Sequence, residues 1–251
     1  MKSSGKHTHT YKRDVLLREA RERLRACPDV LHDDRHAQRV ARYASEIAGH
    51  MGIVDVRHLE ALEISAWWHD VSRTITRNPS FVVMPFVDDT LSALMLLITI
   101  FKRRAFSRSA LLALRLVLSK SAATGKVFAR IFLTRDVRML LDILQDADTV
   151  DIFAPERTTV IHSLVGTSRL YAYGYKTMTW WFASTTILDV KTEAAKAYLM
   201  NMFQEFILWF RQEHIRLWHI ERYGEVWLDM MMQRLQERMY ILQCDMARSS
   251  V

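Results

Sequence analysis

Residues 31–48 read LHDDRHAQRVARYASEIA, and this stretch sets the fold class. Ala37, Val40, Ala41, Ala44, Ile47 and Ala48 recur at three- and four-residue intervals, so they form one apolar stripe along a helix. Asp33 and Asp34 precede the stripe as N-cap candidates, and Gly49 or Gly52 supplies the stop. The same period extends in both directions. Upstream, Val15, Leu16, Ala20 and Leu24 mark a helix over residues 11–26 that Pro28 closes, while the polar residues 1–10 are expected to fray. Downstream, helical patterning covers residues 56–68, 89–104, 107–120, 136–152, 156–171, 191–221 and 224–244. Irregular stretches are expected at residues 71–87, which hold Pro79 and Pro85, near Gly125, at 151–155, and in an aromatic connector around Gly174.

Composition agrees with that pattern. Of 251 residues, 50% are apolar and 25% charged, enough for a substantial core. Seven Gly and four Pro make about 4% of the chain against roughly 12% in average usage, which leaves few tight turns for a many-stranded β fold. The expected architecture is all-α, a single domain of eight or nine helices over residues 11–251. Its long C-terminal helices start near residue 191 and carry a Trp, Phe and Met stripe suited to core or homodimer contact. Cys27 and Cys244 cannot build a disulfide framework or a four-thiolate site, and no apolar segment follows the polar start, so a reduced, cytoplasmic protein is expected. The longest apolar run, ALMLLITIF at residues 93–101, is nine residues long, whereas a membrane span needs roughly 20.

The net charge of +7 is concentrated. Residues 102–138 carry ten basic side chains and one acid, Asp136. Such a field favours anionic partners: phosphorylated metabolites, nucleic acid or an acidic membrane surface. Only Phe106, Phe128 and Phe132 interleave with the charges, so base stacking is poorly served and nucleic acid is the less favoured partner. A solvated helical face is the alternative.

Three segments place metal-competent side chains in or at the ends of apolar helices: residues 31–48, LEISAWWHDVSR at 62–73, and LLDILQDADTVDIFA at 140–154. Burying an unpaired His or Asp costs several kcal/mol, of order 2–7, and a shared cation removes that cost. The candidate ligands are His36, His69, Asp70 and Asp148. Two imidazoles and two carboxylates make a mixed nitrogen and oxygen set suited to one divalent cation per chain, with Mn²⁺ first and Fe²⁺, Co²⁺, Ni²⁺ or Mg²⁺ as alternatives. Taken singly, a buried histidine is more often a hydrogen-bonded core residue than a metal ligand. His32, His50 and His58 are expected at helix ends, and His162, His214 and His219 as structural or surface residues. Asp146 and Asp151 are candidates for orienting a ligand histidine, or for caps.

His36, the pair His69-Asp70 and Asp148, in this order and in helical surroundings, resemble the H…HD…D signature of the HD superfamily of metal-dependent phosphohydrolases. HAQRV at residues 36–40 is similar to that family's H-x-x-R-V start, WWHDVSR at 67–73 to its apolar-HD segment, and ILQDADTVD at 143–151 to its closing D-A-D stretch. TEAAKAYLMNMFQEFILWF at 192–210 resembles the C-terminal helix of small bacterial members, so the likeness spans roughly residues 12–215. It implies an all-α HD-type fold and hydrolysis of a phosphoester or phosphoanhydride in a small phosphorylated compound, a nucleotide first among them, by a metal-activated water.

Departures from the family pattern narrow this. Residues 71–147 contain no histidine, which implies a single metal and argues against the di-iron oxygenases of the superfamily. Ser72 and Arg73 stand where some nucleotidases place a glutamate, and Arg73 is similar to the basic residue of the H-D-x-G-K form. LVLSKSAATGK at 116–126 brings in Lys120 and Lys126, which bind phosphate as point charges. The catalytic set implied is Asp70, Arg73, Lys120 and Lys126. The alternative is a catalytically silent HD-fold module that binds or senses a phosphorylated ligand.

Overall fold

The computed structural model describes residues 4–75, 84–120, 125–184 and 190–249, and every regular element among them is helical. The chain divides into two compact units, Met1–Asp148 and Thr149–Val251. The first contains α1 (Ser4–Arg25), α2 (Asp34–His50), α3 (Val56–Trp68), a 3-10 turn (Val71–Thr74), α4 (Met84–Lys102), α5 (Arg108–Lys120), α6 (Gly125–Phe132) and most of α7 (Arg135–Asp151). The second contains α8 (Pro155–Val165), α9 (Arg169–Ser184), α10 (Glu193–Arg211), α11 (Glu213–Tyr223) and α12 (Glu225–Ser249).

The expected eight or nine helices are therefore twelve among the described residues. The expected helix over 191–221 breaks at Gln212, whose extended backbone (φ −60°, ψ 129°) ends α10 and begins α11. Gly224, at φ +88°, then separates α11 from α12 in a conformation that a side chain would strain. The aromatic segment around Gly174, expected as a connector, is helical and forms α9. One glycine in a helix costs only about 1 kcal/mol, which burial of the adjacent Tyr175 outweighs. Within residues 71–87, α4 starts at Met84 with Pro85 in its first turn, where a missing N–H is tolerated. Pro79 lies outside the described residues.

In the first unit α3 is buried on nearly every side. Ala61, Leu62, Ile64, Ser65, Ala66, Trp67 and Trp68 are all enclosed. The Trp68 indole N–H donates to the Leu16 carbonyl of α1 (3.1 Å), and the Ser65 hydroxyl reaches the Ala61 carbonyl (2.7 Å) and that of Ala113 in α5 (3.4 Å). A helix packed this completely carries its C-terminus into the interior, and the next two residues are His69 and Asp70. Helix α2 is fixed at both ends. The Asp33 carboxylate accepts from the backbone N–H groups of Arg35 (3.0 Å) and His36 (3.1 Å), setting His36 in the first turn. At its far end the N–H of Ile53 bonds to Ala48 O (3.0 Å) around Gly52 at φ +70°, a Schellman closure.

Helix α4 turns Asp88, Asp89, Ser92, Leu96 and Ile100 inward. Ser72 ties the 3-10 turn to that face: its N–H donates to Ser92 Oγ (3.0 Å) and its hydroxyl to Asp88 Oδ1 (2.8 Å). Helix α6 begins hard against the end of α5, where a Cβ on Gly125 would collide with the Ser119 carbonyl. The second unit is held by stacked aromatics. The ring of Phe153 lies 4.8 Å from Phe203 and 5.1 Å from Phe206, and Phe206 packs on Phe210 at 4.8 Å.

Candidate metal centre

Three helices bring the histidines and Asp148 together. His36 comes from the capped first turn of α2, His69 follows the last residue of α3, and Asp148 projects from α7. His69 keeps helical dihedrals and its N–H still bonds to Ser65 O (2.9 Å), but Asp70 leaves the helix at φ −113°, ψ 12°. That change of direction lets two adjacent side chains reach one point. His36 Nε2 and His69 Nε2 stand 3.2 Å apart, and Asp148 Oδ1 lies 3.4 Å from the first and 3.7 Å from the second. Asp70 Oδ2 is 3.3 Å from His36 Nε2 and 3.2 Å from His69 Nε2.

His36, His69 and Asp148 form a site able to chelate a divalent cation. Neighbouring ligands around a six-coordinate ion with bonds near 2.1 Å sit about 3 Å apart, close to these separations. The Nδ1–H of His69 donates to the Ala66 carbonyl (2.8 Å), which leaves Nε2 as the lone-pair face of the neutral ring, turned towards the other ligands. His36 and His69 are 1% and 0% exposed, whereas the Asp148 side chain is 28% exposed. The centre therefore opens on the Asp148 side.

The surrounding electrostatics call for added positive charge. Around the histidines, Asp29, Asp70, Asp88, Asp89 and Asp148 face two permanent cations, Arg73 and Lys120. Burial works against a charged His69, yet the carboxylates of Asp70 and Asp148 outweigh it and raise the imidazole to about 10. Burial likewise opposes ionisation of Asp70 and Asp148, but the histidines, with Lys120 for Asp148, hold both well below the usual carboxylate range. A pocket that binds a proton this firmly has room, electrostatically, for a cation in its place.

Arg73 and Lys120 both lie in this cluster, and both are engaged. Arg73 donates to Asp29 Oδ2 (3.2 Å) and pairs with Asp88 Oδ2 (2.7 Å). Lys120 Nζ is 2.9 Å from Asp148 Oδ2, the oxygen turned away from the histidines, and 3.8 Å from Asp89 Oδ1. The side chain of Lys126 lies outside the described residues. Asp151, a candidate for orienting a ligand histidine or for a cap, pairs with Arg157 (3.4 Å) in the second unit.

Asp29, Asp88 and Asp89 belong to the cluster without having been singled out in the sequence, and His32 is more than a helix-end residue. Its Nδ1 bonds to Asp29 Oδ2 (2.8 Å), its Nε2 lies 4.0 Å from Asp70 Oδ2, and its ring centroid is 5.4 Å from that of His36. Asp89 is buried, which raises its carboxyl to about 6 despite Lys120. Two signals were available. Asp29 and His32 are three residues apart after a proline, and Asp88-Asp89 opens an otherwise apolar run, where buried acids mark functional sites. No helix among the described residues is long and apolar enough to cross a membrane. No family model, curated protein or solved structure matches the chain.

Proposed function

We propose that the chain is an HD-type, divalent-metal phosphohydrolase that cleaves a phosphoester or phosphoanhydride of a small phosphorylated compound, a nucleotide first among them. The observation that carries this reading is the convergence of His36 Nε2, His69 Nε2 and Asp148 Oδ1 from three helices, with Asp70 Oδ2 beside both rings. A bound divalent cation supplies Lewis-acid charge and lowers the pKa of a ligated water, the chemistry that phosphoryl hydrolysis needs. Mn²⁺ suits the mixed nitrogen and oxygen set, and Fe²⁺, Co²⁺, Ni²⁺ and Mg²⁺ are the alternatives.

The chain's own residues have distinct tasks. His36, His69, Asp70 and Asp148 hold the cation. Ala66 O fixes the His69 ring, and Lys120 steadies Asp148 through Oδ2, the oxygen other than the one nearest the histidines. Arg73 and Lys120 place positive charge beside the reacting phosphate, and Lys126, beyond Gly125, adds a third cation. Substrate enters past Asp148, the most exposed of the ligand side chains.

A second reading is a silent module that keeps the fold and the metal and binds a phosphorylated ligand without turnover. It draws on the engagement of Arg73 and Lys120 by carboxylates, which leaves less of their charge for a phosphate. One experiment separates the two: nucleoside mono-, di- and triphosphates and cyclic dinucleotides are incubated with the protein and Mn²⁺, Co²⁺, Ni²⁺ or Mg²⁺, and released phosphate or pyrophosphate is measured. Turnover of one substrate class, abolished by Asp70→Ala, supports the enzyme. Metal-dependent binding without release supports the module, and neither outcome with any metal sinks both.

A further inference from the structure

We propose that the outward face of α4 and the turn that follows it dock on an anionic lipid surface. Leu91, Leu94, Ile98 and Phe101 are spaced by three, four and three residues and lie along one side of α4, opposite the side that carries Asp89, Ser92, Leu96 and Ile100 inward. They are 37%, 51%, 55% and 60% exposed. From Leu91 to Phe101 the row runs about 15 Å at 1.5 Å per residue. Phe106, 42% exposed, prolongs it by packing edge-on against Phe101 at 4.8 Å. A contiguous apolar row left facing solvent marks an interaction surface more often than it marks an accident of folding.

The charge around the row identifies what it meets. Lys102, Arg104 and Arg108 are exposed at its end, Arg115 is exposed on the neighbouring α5, and none of the four is engaged in an ion pair among the described residues. Arg103 is tied to Glu19 (2.8 Å). From residue 90 to residue 135 the chain has no Asp or Glu. An apolar row beside unpaired cations, in a stretch of chain that itself carries no acid, complements a bilayer of anionic lipids: side chains such as Ile98 and Phe101 enter the headgroup and acyl boundary while Lys102 and Arg104 meet phosphates and carboxylates. A second copy docking through the same face by a two-fold axis would set these cations against their own counterparts. A nucleic acid would have no use for the aliphatic Leu91, Leu94 and Ile98. This face does not include His36, His69 or Asp148, so the inference is independent of the metal reading.

Co-sedimentation of the full chain with phosphatidylcholine vesicles, with and without phosphatidylserine, tests it. Binding is expected only with phosphatidylserine. Ile98→Asp combined with Phe101→Asp should lower the bound fraction about ten-fold or more, and Lys102→Glu combined with Arg104→Glu should lower it at least about five-fold per position. In the wild type, hydroxyl-radical labelling of Phe101 and Phe106 should fall when phosphatidylserine vesicles are added, a readout that needs no variant. Three results overturn the proposal: no phosphatidylserine-dependent sedimentation, retention of binding by a folded Ile98→Asp, Phe101→Asp variant, or a dimer in gel filtration that this variant converts to monomer.

Discussion

His69 and His219 are both fully buried, and opposite chemistry surrounds them. Carboxylates press on His69 from Asp70 and Asp148, and its outward nitrogen meets His36 Nε2. His219 sits among aromatics, with Phe210 at 4.6 Å, Trp218 at 4.7 Å and Trp227 stacked at 6.0 Å. Its Nδ1–H donates to Ile215 O (2.7 Å) and its Nε2 accepts from the Tyr175 hydroxyl (2.9 Å), so both ring nitrogens are satisfied in the neutral state. Burial alone therefore does not make a histidine a ligand. What matters is whether the second nitrogen is closed by a hydroxyl from the core or left facing other ligand atoms.

The largest test of that contrast is metal content. His69→Ala should reduce bound Mn²⁺ from about one ion per chain to a trace and abolish any hydrolysis, with helical circular dichroism retained. His219→Ala should leave the metal in place while lowering unfolding stability by about 3 kcal/mol, the scale for emptying a buried ring site. Metal lost from the His219 variant, or kept by the His69 variant, would break the distinction.

That distinction was half legible in the sequence. The order His36, His69-Asp70, Asp148 at helix ends pointed to one cation because local signals place each side chain: Asp33 caps α2, and the apolar helix ending at Trp68 carries His69 inward. The carboxylate shell was less visible. Arg73 meets Asp29 across 44 residues and Asp88 across a segment that reads as loop, and periodicity does not report such pairings. In the second unit the signal misled. Gly174 among tyrosines reads as a break, yet the helix continues because Tyr175 is drawn into the core beside His219. Tertiary burial outweighs a local preference worth about 1 kcal/mol.

Lys120 sharpens the charged side of the comparison. Lys120→Met keeps the apolar stem and removes the cation between Asp148 and Asp89, leaving buried carboxylates uncompensated. In metal-free protein this should cost about 3–5 kcal/mol. Because a divalent cation relieves the same imbalance, the rise in Tm on adding saturating Mn²⁺ should be greater in the variant than in the wild type. An equal or smaller rise would show that charge balance is not what links Lys120 to the centre.

The aromatic side is probed by acid. Burial lowers His219 from the ordinary 6.5 to about 4, and burial also lowers His162, the neighbouring imidazole. Between these limits the unfolded chain binds the proton and the folded chain does not, so the contribution of these imidazoles to stability is complete above pH 6.5 and falls as pH drops towards 4. The loss should reach up to about 3 kcal/mol. Urea unfolding followed by tryptophan fluorescence is suited to this, since Trp180, Trp181, Trp209, Trp218 and Trp227, five of the seven, belong to the second unit. In His219→Leu most of the pH dependence in that window should vanish; a slope as steep as wild type would place its origin elsewhere.

The smallest effect isolates one hydrogen bond. Tyr175→Phe keeps the ring, which packs 5.7 Å from His219 and 6.0 Å from Tyr223, and removes only the hydroxyl that donates to His219 Nε2. The imidazole then has a buried acceptor without a partner, a loss of about 1–2 kcal/mol at neutral pH. Tyr175 cannot compensate by ionising in the wild type, because burial drives its hydroxyl far above the ordinary tyrosine range. The acid effect should persist, because burial, the largest cause of the lowered His219 value, is unchanged in the variant, and the hydroxyl that could turn to accept from a protonated Nε2 is gone. Metal content in the first unit should not change. Equal stability of Tyr175→Phe and wild type across this pH range would show that the hydroxyl does not close the His219 ring, and the two buried histidines would then differ only in the charge around them.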